Sequence, residues 1–452
     1  MFKDKCGLIH TAANQQAVDA FETVIDALYR IGTNTGDCLK AVFEADPEMP
    51  MAHCLKGYFF MFMASGPLRL RARKAHQEAL KFAGGATARE RAHIKALGLW
   101  SHDDKAAAIR LWDDIVSEYP FDTVALRLGH FGHFYDGDSV AMRKCMETTF
   151  PHWQRSHPGY SFLLGMRAFA FEECGDYAAA EKLGREGLDL DPVDPWAIHA
   201  VSHVMEMQER RQEGIDWITG HQAHWQGANN FRYHVLWHRA LMYWGLGDFD
   251  AVLAIYDDQL WDPESDEYAD LCNNATVLLR LEYVGVDVGD RWQNLHAKVK
   301  ARTDEHILMF ADVHFAMMCA ATGDAAGVRN LIESSPEIGG ALRNDVAAPL
   351  CQAMLDYRTD ACGQAQSTLL ALRGRIIEIG GSHAQRDVFE LLMIEASIKA
   401  GDLATARHML ENRSQTHPRD GVNWNKLADV LSSLGDEAAN QARLQASGLL
   451  VA

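Results

Sequence analysis

The chain has 452 residues, of which 48% are hydrophobic and 23% charged, ordinary proportions for a folded protein. Its 43 Lys and Arg stand against 62 Asp and Glu, a net charge of −19 that repels phosphate backbones and argues against a nucleic-acid partner. The nine cysteines form no C-x-x-C pair, the start lacks a long apolar signal segment, and no apolar run reaches membrane-spanning length. We therefore expect a soluble, cytoplasmic protein with no membrane association.

Short turn sequences recur along the chain at a spacing typical of helical repeats. The clearest repeat places Pro158 and Pro192 34 residues apart, the tetratricopeptide period, and Gly175-Asp176 forms its predicted turn. Small residues, among them Ala179 and Ala180, occur where two antiparallel helices must approach closely. Related turns fall at His102-Asp103-Asp104, Gly247-Asp248, Gly323-Asp324, Gly401-Asp402 and Gly435-Asp436.

These turns predict an all-α fold, a tetratricopeptide-type helical-repeat superhelix, or α-solenoid. We expect a single array over residues 1–452, since no stretch is linker-like. Residues 1–150 hold the N-terminal repeats. Residues 151–260 hold the most regular repeats, and residues 261–452 hold less regular helical repeats.

Two histidine pairs stand out in the regular repeats. His199 and His203 are four residues apart, so they share one helix face, on which Glu206 follows. His234 and His238 repeat the spacing exactly one repeat of 35 residues later. Equivalent positions on successive first helices become neighbours and line the concave groove of such an array. The sequence therefore predicts that the four histidines share one polar, solvent-accessible cavity with Glu206 at its wall.

Paired imidazoles beside a carboxylate suit two kinds of chemistry. They hold zinc or another divalent metal ion, with His199, His203, His234 and His238 as ligands, and they also suit acid–base catalysis, with Glu206 as a fifth catalytic group. The metalloprotease pattern H-E-x-x-H is absent, because Ala200 stands at the glutamate position. The plainer alternative is that each histidine is a hydrogen-bonded packing residue of its helix.

Further polar residues fall near the same repeat register and extend the predicted strip along the groove. They are candidates for binding a cofactor or ligand: His130, Asp270, Asn274 and His314. His130 precedes His199 by 69 residues, close to two periods. Asp270 and Asn274 lie about one period after His238.

Several segments resemble the tetratricopeptide repeat protein 38 family, and together they cover most of the chain. They are Ala45 to Pro47, Met51 to His53, Arg89-Glu90 with His93, the segment around His130, Asp191 to His203 with Glu206-Met207, His234 to Leu241, Gly285 to Gln293, Asp304 to Phe315, and Ala384 to Phe389. The resemblance implies a helical-repeat fold, a cytosolic setting and histidines at these groove positions. It implies no particular reaction, and His133 departs from the family pattern.

Two functions stay open at this point. The first is a small-molecule or metal site in the histidine-rich groove, with or without catalysis. The second is a non-catalytic scaffold that binds a peptide or protein terminus in the concave groove, where Lys, Arg or Asn side chains normally capture a carboxylate. Its candidates are Asn229, Asn230, Arg232, Arg239 and Asn274. A homodimer is compatible with either function.

Overall fold

The computed structural model describes residues 1–335 and 338–450, and almost all of its regular structure is helical. The first helices are α1 (Gln15–Tyr29), α2 (Thr35–Ala45), α3 (Pro50–Phe62), α4 (Gly66–Lys81), α5 (Ala88–Ser101), α6 (Lys105–Glu118), α7 (Thr123–Tyr135), α8 (Ser139–Thr149), α9 (Tyr160–Glu172), α10 (Tyr177–Leu190), α11 (Pro195–Met207), α12 (Arg211–Gly220), α13 (Gln222–Trp225) and α14 (Phe231–Leu246). This confirms the predicted all-α helical-repeat fold.

The remaining helices follow in the second half of the chain. They are α15 (Phe249–Ile255), α16 (Tyr268–Tyr283), α17 (Arg291–Val299), α18 (Met309–Ala321), α19 (Ala325–Glu333), α20 (Gly340–Leu342), α21 (Ala348–Arg358), α22 (Cys362–Leu372), α23 (His383–Lys399), α24 (Leu403–Thr416), α25 (Gly421–Ser433) and α26 (Ala438–Ser447). Segments Tyr256–Leu260 and Arg343–Ala347 are π-helical, and Phe150–His152 and Arg373–Ile379 are 3₁₀-helical.

The chain divides into two compact units. Unit 1 comprises Met1–Val204 with His221–Arg232, and unit 2 comprises Met205–Gly220 with Tyr233–Ala452. Unit 1 begins with a short antiparallel hairpin, β1 (Phe2–Lys3) and β2 (Ile9–His10), in which Phe2 pairs with His10. Among the described residues, no helix is both long enough and apolar enough to cross a membrane.

The predicted repeat of unit 1 forms the antiparallel helices α9 and α10. Gly175 lies at the turn between them with a φ of 78°, a left-handed conformation that favours glycine. Gly184 lies where α10 meets α11, and a Cβ added there would lie 2.6 Å from Cγ2 of Val201. The small residues are therefore required by close helix packing, as the sequence indicated.

Aspartates at the turns cap the second helices of the repeats. At five turns the carboxylate accepts the N–H of the residue three positions later: Asp104, Asp138, Asp248, Asp324 and Asp402. A carboxylate at this position satisfies an N–H that the helix itself leaves unbonded. Several turn aspartates also bind a side chain from the second helix of the preceding helix pair, as Arg143 binds Asp176, His296 binds Asp324, Gln366 binds Asp402 and Arg407 binds Asp436.

In unit 2, hydrogen bonds connect segments that are far apart in the sequence. The guanidinium of Arg211 donates to the carbonyl oxygen of Arg419 at 2.6 Å, and Glu209 accepts the N–H of Arg419 at 2.8 Å. These contacts join α12 to the loop before α25. They help to enclose a cavity inside unit 2.

Candidate histidine and carboxylate sites

His199 and His203 converge within unit 1. Their Nε2 atoms lie 2.9 Å apart on α11, and the side chains are buried, with 3% and 0% exposure. Aromatic rings surround them, with Phe169 within 5.4 Å of both imidazole centroids and Phe231 at 5.0 Å from His199. The helical spacing of four residues therefore brings the two Nε2 atoms to one point.

A carboxylate that the sequence analysis did not single out lies behind His203. Oε2 of Glu172, at the end of α9, is 3.6 Å from Nδ1 of His203, and the Glu172 side chain is fully buried. Glu173 is next to it, and the ligand-type atoms of Glu172, Glu173 and His203 all lie within 4.8 Å of one another. The available signal in the sequence was a pair of glutamates that ends an otherwise apolar helix.

His130 has a separate role in unit 1. Its Nε2–H donates to the carbonyl oxygen of Met166 at 3.1 Å. Burial lowers the pKa of His130 to about 3, so the imidazole is neutral at physiological pH. Its nitrogen is thus engaged in joining α7 to α9.

In unit 2, His238 binds Glu206. Nδ1 of the buried His238 lies 2.6 Å from Oε2 of Glu206, whose side chain is 17% exposed. Burial raises the pKa of the Glu206 carboxyl to about 8. The pair therefore holds a proton between carboxyl and imidazole near neutral pH.

The hydrogen bonds around His234 assign its tautomer. The backbone N–H of Ser382 donates to Oε1 of Gln385, whose amide group donates to Oδ1 of Asn273 at 3.3 Å. Nδ2 of Asn273 therefore faces Nδ1 of His234, at 3.0 Å. Because Nδ1 accepts this hydrogen bond, neutral His234 carries its proton on Nε2. Burial lowers the pKa of His234 to about 4.

Three other predicted residues have local partners in unit 2. Asp270 accepts the hydroxyl hydrogen of Ser265 at 2.6 Å, and the amide of Asn274 donates to the backbone oxygen of Asp270 at 2.9 Å. His314 donates from Nδ1 to the backbone oxygen of Phe310 at 2.7 Å, and burial lowers its pKa to about 4. These bonds stabilise α16 and α18 locally.

The residues proposed for peptide capture also make short-range contacts. In unit 1, Arg232 donates to the Ala228 carbonyl oxygen at 3.3 Å, and Asn229 caps the N–H of Phe231 at 3.0 Å. In unit 2, Arg239 donates to the side chain of Gln259 at 2.7 Å. The Asn274 amide donates to the backbone oxygen of Asp270.

A cavity of about 310 Å³ lies inside unit 2. Glu206 is part of its wall, together with Arg280, Asp387 and Arg413. The 3₁₀ segment Arg373–Ile379 and helix α23 contribute the opposite side. The sequence predicted Glu206 at the wall of a cavity shared by the four histidines, but the lining of this cavity contains Glu206 without any of those histidines. Its arginines were not identified from the sequence.

The comparison with family models finds no match to this chain. Among solved structures, the chain is similar to the human IFIT1 dimer with m7Gppp-AAAA, at 12% identity, with 97% of this chain and 96% of that chain covered and a TM-score of 0.39. The structure of Naa15/Naa10 bound to HypK-THB is similar at 14% identity, with 96% and 68% covered and a TM-score of 0.24. The helical-repeat assignment is independent of these likenesses, because it follows from the helix pairs and turns described above.

Proposed function

We propose that this chain binds a divalent transition metal ion, zinc in the first instance, through paired histidines that begin with His199 and His203. The observation that carries the proposal is the 2.9 Å separation of their Nε2 atoms. Two nitrogens that bind one zinc ion at the usual Zn–N distance lie about 2.9 Å apart when the N–Zn–N angle is a right angle. They lie about 3.4 Å apart when that angle is tetrahedral. Small rotations of the imidazoles therefore suffice to bring both lone pairs to an ion.

Glu172 supports the same chemistry as a positioning residue. Metal-binding imidazoles usually donate their other N–H to a carboxylate or carbonyl, which fixes the tautomer and makes the imidazole a better ligand. A carboxylate 3.6 Å from Nδ1 of His203 favours a proton on Nδ1 and a lone pair on Nε2. The alternative for this pair is an imidazole–imidazole hydrogen bond between the two Nε2 atoms.

His238 in unit 2 has a similar environment, since its Nδ1 faces the Glu206 carboxyl. The proposal therefore extends to His238 as a ligand within unit 2, and the 35-residue offset between His203 and His238 in the sequence supports giving the two histidines the same role. His234 requires one further change, because its Nε2 is protonated unless the Asn273 amide turns over. A bound zinc ion would lower the pKa of a bound water, and Glu206 is the group suited to exchange a proton with it.

Membership in the tetratricopeptide repeat protein 38 family and a cytoplasmic location belong to the same proposal. The support is the set of motifs around the histidine pairs, Asp191 to His203 and His234 to Leu241. A peptide-binding scaffold without metal is the competing function.

Metal analysis of untagged protein tests the proposal. After incubation with zinc and exhaustive dialysis, we expect stoichiometric metal in the wild type and its loss in His199→Ala and His203→Ala. His408→Ala is the matched control, since His408 is an exposed helical histidine whose Nε2 is hydrogen-bonded to Asn412. If the zinc content is substoichiometric, or equal in all variants, the metal-site proposal fails. The two histidines are then a hydrogen-bonded pair, and the scaffold function is the one that stands.

A further inference from the structure

Paired charges line most of the unit 2 cavity. Glu209 binds Arg211 at 3.1 Å, and Glu390 binds Arg373 at 2.8 Å. The pairs hold these carboxylates and guanidinium groups in fixed positions at the wall. Their charges therefore compensate one another without any ligand.

The remaining carboxylates of the lining share one arginine. Arg413 binds Asp387 at 3.1 Å and Asp420 at 3.2 Å. Burial opposes ionisation of Asp387, but the adjacent Arg413 guanidinium outweighs it and lowers the pKa of Asp387 to about 2. Both acids are therefore already bound at hydrogen-bond distance by the same guanidinium.

Arg280 differs from these arginines. Its side chain is only 3% exposed, and it donates to the backbone oxygens of Ala384 at 2.9 Å and Thr276 at 3.3 Å. Among the residues that the structure describes, the one carboxylate within 4.0 Å is Asp387, at 3.8 Å, and that carboxylate is bound more closely by Arg413. An arginine stays charged even when buried, so Arg280 brings a weakly compensated cation to the cavity.

Glu206 does not neutralise this cation. Its carboxyl binds Nδ1 of His238 at 2.6 Å, whereas no carboxylate oxygen of Glu206 lies within 4.0 Å of the Arg280 guanidinium nitrogens. Arg280 therefore lies at the cavity wall without a carboxylate from the described residues at hydrogen-bond distance, and the carboxylate of a ligand can take that place.

The rest of the lining is apolar. Leu241 and Trp244 from α14, Ile376 and Ile377 from the 3₁₀ segment, and Phe389 from α23 contribute to it. The volume of about 310 Å³ lies at the lower end for small-molecule sites. A ligand that fits this lining has a compact apolar body.

We propose that the unit 2 cavity binds a small organic monocarboxylate, with its carboxylate at Arg280 and its apolar body against Trp244 and Phe389. The cavity shares Glu206 with the proposed function, but carboxylate binding at Arg280 requires no metal ion and is tested without one. A guanidinium can donate two parallel N–H groups to one carboxylate. Such bidentate, charge-assisted hydrogen bonds are stronger and more specific than those between neutral groups.

Matched small molecules test the charge requirement. The probes are hexanoate, phenylacetate and indole-3-acetate, each beside its neutral alcohol, with phenethylamine as the cationic control, at constant ionic strength. Calorimetry on the full chain should give saturable binding of at least one carboxylate, roughly 10- to 100-fold tighter than its alcohol. The site is excluded if no carboxylate saturates by about 10 mM, or if the alcohols bind equally well.

Two substitutions locate the binding. Arg280→Met should abolish the carboxylate preference, whereas Arg443→Met should leave it within about threefold, because Arg443 lies outside the cavity lining and pairs with Asp429 at the surface. If Arg280→Met does not fold, Ile377→Trp fills the cavity from a half-buried position and should prevent binding while Arg280 is retained. Carboxylate binding that survives Ile377→Trp, or that is lost equally in Arg443→Met, would place the anion elsewhere.

Discussion

Oε2 of Glu206 lies 2.6 Å from Nδ1 of His238, and this contact joins a partly exposed carboxyl to a fully buried imidazole. The distance is that of a strong hydrogen bond, so a proton lies between the two groups. Because the carboxyl also faces the unit 2 cavity, a ligand there would change how this proton is held.

Glu206→Gln should change the pH dependence of stability. Burial raises the folded-state pKa of Glu206 from 4.5 to about 8, so the folded state keeps a proton that the unfolded state releases. The free energy of unfolding of the wild type should therefore fall, by on the order of one to a few kcal/mol, as the pH rises from about 4.5 to 8. Urea unfolding at several pH values should show a flatter profile in Glu206→Gln. A wild-type slope that the variant keeps would show that the carboxyl is ionised throughout.

Glu172→Gln should weaken metal binding without removing a ligand. The carboxylate 3.6 Å from Nδ1 of His203 orients that imidazole, and loss of such a partner typically reduces metal affinity 10- to 100-fold. Competition with a chelator measures the change. Glu181→Gln is the control, because Glu181 pairs with Arg185 on the surface of α10. Equal affinities in the two variants would remove Glu172 from the proposed site.

The sequence predicted what depends on helical spacing and missed what depends on burial. The spacing of His199 and His203 predicted a shared helix face, and their Nε2 atoms do converge. Glu172 lies on a different helix, and its position behind His203 follows from how α9 packs, which the repeat period alone does not give.

Arg280 shows the same limit in unit 2. In the sequence it is one of 43 basic residues, and nothing adjacent to it marks a site. Arg280 is marked as a candidate binding residue by its burial and by its distance from Asp387, which Arg413 of another helix binds more closely. Its partners Ala384 and Asp387 lie more than a hundred positions away in the sequence, so local patterns do not reveal them.

Acid should destabilise the protein partly through His314. Burial lowers the folded-state pKa of this imidazole from 6.5 to about 4, so the unfolded state binds a proton first. Its contribution to stability is therefore complete above about pH 6.5 and is lost as the pH falls toward 4. His314→Phe, which packs between Phe310 and Phe389 but does not titrate, should reduce the loss of unfolding free energy between pH 6.5 and 4.

Urea unfolding at pH 6.5, 5.5 and 4.5 measures this effect. The exposed His408→Phe is the control and should leave the acid dependence unchanged. The buried His130 and the half-buried His234 also have lowered pKa values, so His314→Phe should remove only part of the slope. An acid dependence identical to that of the wild type would show that His314 gains solvent when it is protonated.

Gly184→Ala should destabilise unit 1 although alanine is the better helix former. The added Cβ would lie 2.6 Å from Cγ2 of Val201 and 3.3 Å from the Ala197 carbonyl oxygen. Such overpacking costs about 1–3 kcal/mol, more than the roughly 1 kcal/mol gained in helix propensity. Gly36→Ala, in open space near the start of α2, should be neutral or slightly stabilising. Adding Val201→Ala should relieve the clash, so that urea unfolding gives less than the sum of the two single effects. Strict additivity would mean that α10 and α11 move apart to admit the methyl group.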